Sequence, residues 1–104
     1  MLRAAVFLIA CSPSIAYPCD AHVWQDPALV KAQSELQDAY ELAWNGSEQK
    51  ELLDMAQEAW VEYRRANCEL MSERDGTPAP GPQAQCLAFM TRERTFELRL
   101  LTPR

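Results

Sequence analysis

Residues 68–86 read CELMSERDGTPAPGPQAQC, a cysteine at each end of a stretch carrying Pro78, Pro80 and Pro82 together with Gly76 and Gly81. Proline removes an amide donor and clashes with the preceding helical turn, so Asp75–Pro82 predicts a break in helical structure. Apolar residues at helical spacing lie on both sides of it. One helix is expected to run up to about Ser72, and another to open at Gln83 or Ala84 and last to about Leu101. A chain that turns back between two antiparallel helices brings their ends together. Cys68, late in one, and Cys86, early in the other, are therefore predicted to form a disulfide. Closing a loop of this length stabilises by about 3 kcal/mol in the chain-entropy account.

Working outward, Asp26-Pro27 predicts the start of a further helix, with Asp26 capping free amides and proline suited to the first helical position. Leu29, Leu36, Tyr40, Ala43 and Trp44 make one apolar stripe along it. Asn45-Gly46 ends it, the glycine being free to take the left-handed C-terminal conformation. Ser47 is placed to cap the second helix, whose first turn holds Glu48 and Glu51. The inward stripe expected of this helix is Leu52, Ala56, Ala59, Trp60, Tyr63 and Leu70, with Met71 at its edge. Glu51, Asp54, Glu58, Glu62, Arg65 and Glu69 form the wet face. For the third helix the expected stripe is Leu87, Met90, Arg94, Leu98 and Leu101. Tyr17–Gln25 reads as an irregular lead. The fold class that follows is all-α: a small three-helix domain, a helical hairpin plus a third helix, clamped by Cys68–Cys86.

The chain has 104 residues and only three glycines, with 48% hydrophobic and 24% charged residues, enough for one small domain. Residues 1–16, MLRAAVFLIACSPSIA, have the layout of a secretory signal: Arg3, the apolar run Ala4–Ala10, then Ser14 and Ala16 before a cut. Residues 17–104 are then the folded domain, exported to the periplasm or medium. A competing reading takes Leu8-Ile9-Ala10-Cys11 as a lipobox, with Cys11 carrying a lipid anchor. The apolar run is too short to span a bilayer. The net charge is −5, and loss of Arg3 with the leader makes it −6. That excludes nucleic acid and anionic membrane surfaces, which require a basic footprint, and suits a basic partner.

Catalytic chemistry is poorly provided for. His22 is the one histidine and sits in the lead, so Ser-His and Cys-His schemes lack a base in the packed region. No Gly-rich phosphate loop or nucleophile elbow occurs, and the carboxylates fall on outer helix faces. The reading is a non-enzyme without cofactor or metal. A zinc set of Cys19, His22, Cys68 and Cys86 is the alternative to the disulfide, disfavoured because structural sites offer two close ligand pairs. Cys19 otherwise has no partner in the sequence and is either free or paired with a second molecule. Arg64, beside the Trp60/Tyr63 step, and Arg94, on an apolar stripe, are the unusual cations. Either they lock helix register through ion pairs, Asp38 and Glu41 being candidate partners, or they serve recognition in a groove. Tyr40, Trp44, Trp60 and Tyr63 are expected in the core.

Leu36-x-x-x-Tyr40, then Ala56-Gln57-x-x-Trp60-x-x-Tyr63-Arg64-x-x-x-Cys68, then Cys86-Leu87-x-x-Met90-Thr91-x-x-Arg94-x-x-x-Leu98 resembles the LprI-like family, bearers of the lysozyme inhibitor LprI N-terminal domain. The likeness covers about residues 34–100. It implies an exported helical domain with cysteines bonded near the second turn. It also implies structural signature positions at Tyr40, Gln57, Trp60, Tyr63, Arg64 and Arg94. Ser34 and Gln37 stand where the family often has Asp and Asn, and Cys19 stands alone where many members have further N-terminal cysteines. The activity implied is inhibition of lysozyme-type muramidases, which are commonly basic. The rigid segment Ser72–Gln85, with Arg74, Asp75, Pro78 and Pro80, is the expected partner-binding loop. The alternative is a structural or interaction protein of the envelope whose partner is another basic protein.

Overall fold

The computed structural model describes residues 21–74 and 80–102, and all of the secondary structure among them is α-helical. A one-turn helix α1 (Ala21–Trp24) precedes three long ones, α2 (Pro27–Gly46), α3 (Lys50–Arg74) and α4 (Pro80–Leu101). Residues 1–16, read above as a leader, and Cys11 and Cys19 lie outside the described residues.

Of the expected caps, that at Asp26 forms, while Ser47 stands three residues before the first residue of α3. The Asp26 carboxylate accepts from the Leu29 amide at 3.2 Å, with Pro27 in the first turn. The Ser47 hydroxyl accepts from the Gln49 amide at 2.9 Å ahead of α3. Gly46 is instead the last helical residue of α2. The chain leaves in extended conformation at Ser47, whose amide donates to the Trp44 carbonyl at 3.2 Å.

Three boundaries differ from expectation. Residues 21–24 are helical rather than irregular, because Val23 is buried against α4 and gives that turn an apolar anchor. Helix α3 runs on to Arg74. Helix α4 begins at Pro80, so Pro80, Gly81 and Pro82 belong to its first turn and not to a loop. Amides there have no intrahelical acceptor, and a proline lacking one loses nothing.

Helices α2 and α4 run side by side in the same direction, with α3 antiparallel to both. Small residues make their approach close: Ala32, Ala39 and Ala43 on α2 and Ala84, Ala88, Thr91 and Thr95 on α4 are all buried. The core has two apolar clusters. One joins Leu36, Ala39, Tyr40, Ala43, Leu53 and Leu98, with Trp44 and Trp60 packed on it. The other joins Val23, Leu29, Cys68, Ala84, Leu87 and Ala88, with Trp24, Cys86 and Met90 at its border. The second holds the predicted disulfide, with Cys68 and Cys86 bonded at 2.09 Å and their Cα atoms 5.6 Å apart. This bond consumes two of the four ligands that the zinc alternative required.

The inward face of α3 overturns the sequence expectation. Leu53, Gln57, Arg64 and Cys68 are buried and Trp60 is half-buried, whereas Leu52, Ala56, Ala59, Tyr63 and Leu70 are exposed. The buried column is displaced by one residue from the apolar one. On α4, Leu101 is likewise exposed, and Ala84, Ala88, Thr91 and Thr95 take the inward positions beside Leu87 and Leu98.

Candidate functional site

Between the two apolar clusters lies a polar layer contributed by all three long helices. Arg64, only 3% exposed, projects from α3 into it. Its Nη1 donates to Gln33 Oε1 on α2 and, at 2.8 Å, to Thr91 Oγ1 on α4. The guanidinium lies over the Trp24 ring at 5.1 Å and over the Trp60 ring at 4.7 Å. Aromatic faces attract a cation most strongly where water is excluded, by about 2 kcal/mol. Thr91 and Thr95 pass their hydroxyl protons back to the Leu87 and Thr91 carbonyls at 2.6 and 3.0 Å, which satisfies them inside the helix.

One turn nearer the other end, Gln57 Oε1 accepts from Arg94 Nε at 3.0 Å, and Arg94 Nη1 meets Glu97 at 3.0 Å. Gln57 Nε2 is buried and has no acceptor among the described residues. Tyr40, buried on α2, donates its hydroxyl to Asp54 at 3.2 Å. Arg94 thus finds its partners on α3 and its own helix, not in Asp38 or Glu41, which are exposed.

Outside this layer, α3 and α4 diverge to leave an open groove of about 550 Å³. Trp60, Tyr63, Asn67 and Met71 line it from α3, and Pro82, Gln85, Cys86, Phe89, Met90, Glu93, Arg94 and Glu97 from α4. Tyr63 and Phe89 are 60% and 56% exposed. Asn67 Nδ2 meets Met90 Sδ at 3.2 Å across the floor. The cleft therefore offers three aromatic side chains and thioethers to an apolar group, with Glu93 to receive a cation beside the Arg94–Glu97 pair. Among the described residues, no three His, Cys, Asp or Glu side chains gather as a metal site requires. No described helix is long and apolar enough to cross a membrane.

The structure divides the six expected signature residues. Tyr40, Gln57, Trp60, Arg64 and Arg94 meet inside or at the edge of the polar layer, while Tyr63 stands outside on the groove wall, not in the core. Of the expected partner-binding loop, Arg74 ends α3 and Pro80 begins α4. Asp75 and Pro78 fall outside the described residues. Sequence reasoning missed Phe89, Glu93 and Glu97. Their signal was a large apolar residue, Phe89, lying off the helix's own stripe with carboxylates one and two turns further on.

A family model described as Lysozyme inhibitor LprI matches residues 20–98, most of the chain and all of the elements that build the layer and the groove. The chain belongs to this lysozyme inhibitor family. Over 53 residues it is 45% identical to an uncharacterized protein of Rhizobium meliloti (strain 1021), a match spanning 49% of this chain and 38% of that protein. No solved structure matches the chain. In this LprI-family chain, then, five of the six expected signature residues lie in or at the edge of the buried layer. The groove beside it is the surface that the layer holds in shape.

Proposed function

We propose that the protein is an exported, non-enzymatic inhibitor of a lysozyme-type muramidase and that it engages the enzyme through the groove between α3 and α4. The observation that carries this reading is the pairing, on one open cleft, of the exposed aromatic Phe89 with the carboxylates Glu93 and Glu97, in a chain of the LprI family. Exposed aromatics in a concave patch are typical anchors of protein interfaces, and opposite charge at the rim speeds encounter. A muramidase is commonly basic, and this chain carries −5.

The segment that joins α3 to α4, with Arg74, Asp75, Pro78 and Pro80, is proposed as the second contact. Export is supported by residues 1–16, which read as a leader, and by a Cys68–Cys86 bond of the kind that persists in oxidising compartments. The periplasm or medium is the proposed location, with a lipid on Cys11 as the alternative mode of release from the leader.

The test is lysis of cell-wall suspensions by a basic lysozyme with the purified domain added. Wild type should slow lysis, and Phe89→Ala should weaken binding by about 30-fold, the scale of a hot-spot residue. Lysis that proceeds at full rate under excess wild-type protein, with no complex by calorimetry, removes the reading.

A further inference from the structure

The outer flank of α3 carries an apolar stripe that its own bundle leaves uncovered. Leu52, Ala56, Ala59, Tyr63, Ala66 and Leu70 recur at alternating spacings of four and three. This is the repeat by which one helix seats against another. Leu52, Tyr63 and Leu70 are 59%, 60% and 66% exposed.

The stripe reads alike in both directions. Counting outward from Val61, Ala59 and Tyr63 stand two residues away, Ala56 and Ala66 five, Leu52 and Leu70 nine. We propose that this stripe pairs with the same stripe of a second copy, α3 antiparallel to α3 about a two-fold axis that crosses the stripe at the height of position 61. Leu52 then meets the other copy's Leu70, Ala56 meets Ala66, and each Tyr63 ring covers an Ala59. The ring sits opposite a small residue while leucine meets leucine and alanine meets alanine, and a two-fold interface must be self-complementary in this way. A parallel pairing sets the two Tyr63 rings against each other and leaves Ala59 facing Ala59.

Charge allows the approach in part: Glu51, Glu58, Glu62 and Glu69 border the stripe on one flank, and two of them, Glu62 and Glu69, are bonded to Arg65 of the same helix, the latter at 3.0 Å. Size permits it as well. Leu52 to Leu70 spans about 27 Å of helix. Covered by a second helix with its flanking side chains, that length buries roughly 600–800 Å² per copy, close to the ~800 Å² per partner of a specific interface.

Sedimentation equilibrium on the full chain tests the pairing. A mass rising from one chain to two across the micromolar range is expected. Ala59→Glu, on the axis, and Leu70→Glu, at the end, should each raise the dimer dissociation constant about 100-fold while circular dichroism stays unchanged. Phe96→Glu, an exposed apolar residue of α4 off the stripe, should leave the dimer intact. A wild-type monomer up to about 1 mM overturns the proposal, as does a dimer indifferent to both glutamates or dissolved by Phe96→Glu. None of these readouts involves a muramidase, so this proposal and the inhibitor reading stand or fall separately.

Discussion

Arg64 shows why a charge can be placed at the centre of so small a domain. Gln33 and Thr91 receive its protons, and Trp24 and Trp60 receive its two faces. A planar fork is needed for that combination; an ammonium of equal charge has neither plane nor fork. Arg64→Lys is accordingly expected to cost about 2–4 kcal/mol in urea unfolding, on the scale of disrupting a buried charged network. A loss below about 0.5 kcal/mol, the level of an ordinary surface change, would show that the stacking and the fork matter little. That Arg64 and Arg94 were special was legible, because arginine beside aromatics or on an apolar stripe asks for an explanation. Their partners were not. Carboxylates are the commonest expectation, yet Gln33, Gln57 and Thr91 supply much of the bonding, and a neutral amide or hydroxyl gives no long-range signal in a sequence.

At the scale of the element, α3 carries two columns of the same period, one residue apart. Hydropathy selects Leu52-Ala56-Ala59-Tyr63; the fold buries Leu53, Gln57, Arg64 and Cys68, with Trp60 half-buried between them. The bond to Cys86 fixes which way position 68 must face, and a rigid helix carries that rotation along its length. A pattern rule scores Gln57 and Arg64 as polar and cannot see that partners on α2 and α4 satisfy them. Helix α2, whose buried face is apolar throughout, was read correctly at Leu29, Leu36, Tyr40 and Ala43. The two columns of α3 separate cleanly by mutation. Leu53→Ala should destabilise by about 2–4 kcal/mol as a core truncation, and Leu52→Ala by less than about 0.5 kcal/mol. The measurement is chemical denaturation at concentrations where the chain is monomeric. Equal effects at both positions would mean that α3 is rotated differently.

Across the whole molecule, the disulfide and the polar layer have one joint effect: they set the spacing of α3 and α4 and hence the groove. The hairpin, the third helix and the clamp between them were legible from the cysteines and the proline-rich stretch. The groove was not, since it depends on the rotation of α3 and on Phe89 facing outward. Replacing Cys68 and Cys86 by alanine is expected to lower stability by about 3 kcal/mol, the scale of closing a loop between residues 18 apart. The same change should weaken muramidase binding by loosening both groove walls. Thermal unfolding and calorimetry of the double variant check the two effects; unaltered binding would separate the groove from the clamp.

The most direct test of the account is hydrogen exchange of the protein with and without a basic lysozyme. Exchange should slow in residues 63–71 of α3 and 82–97 of α4, which wall the groove, and stay unchanged along the exposed face of α2. Protection confined to α2, or no protection at saturating lysozyme, would contradict it.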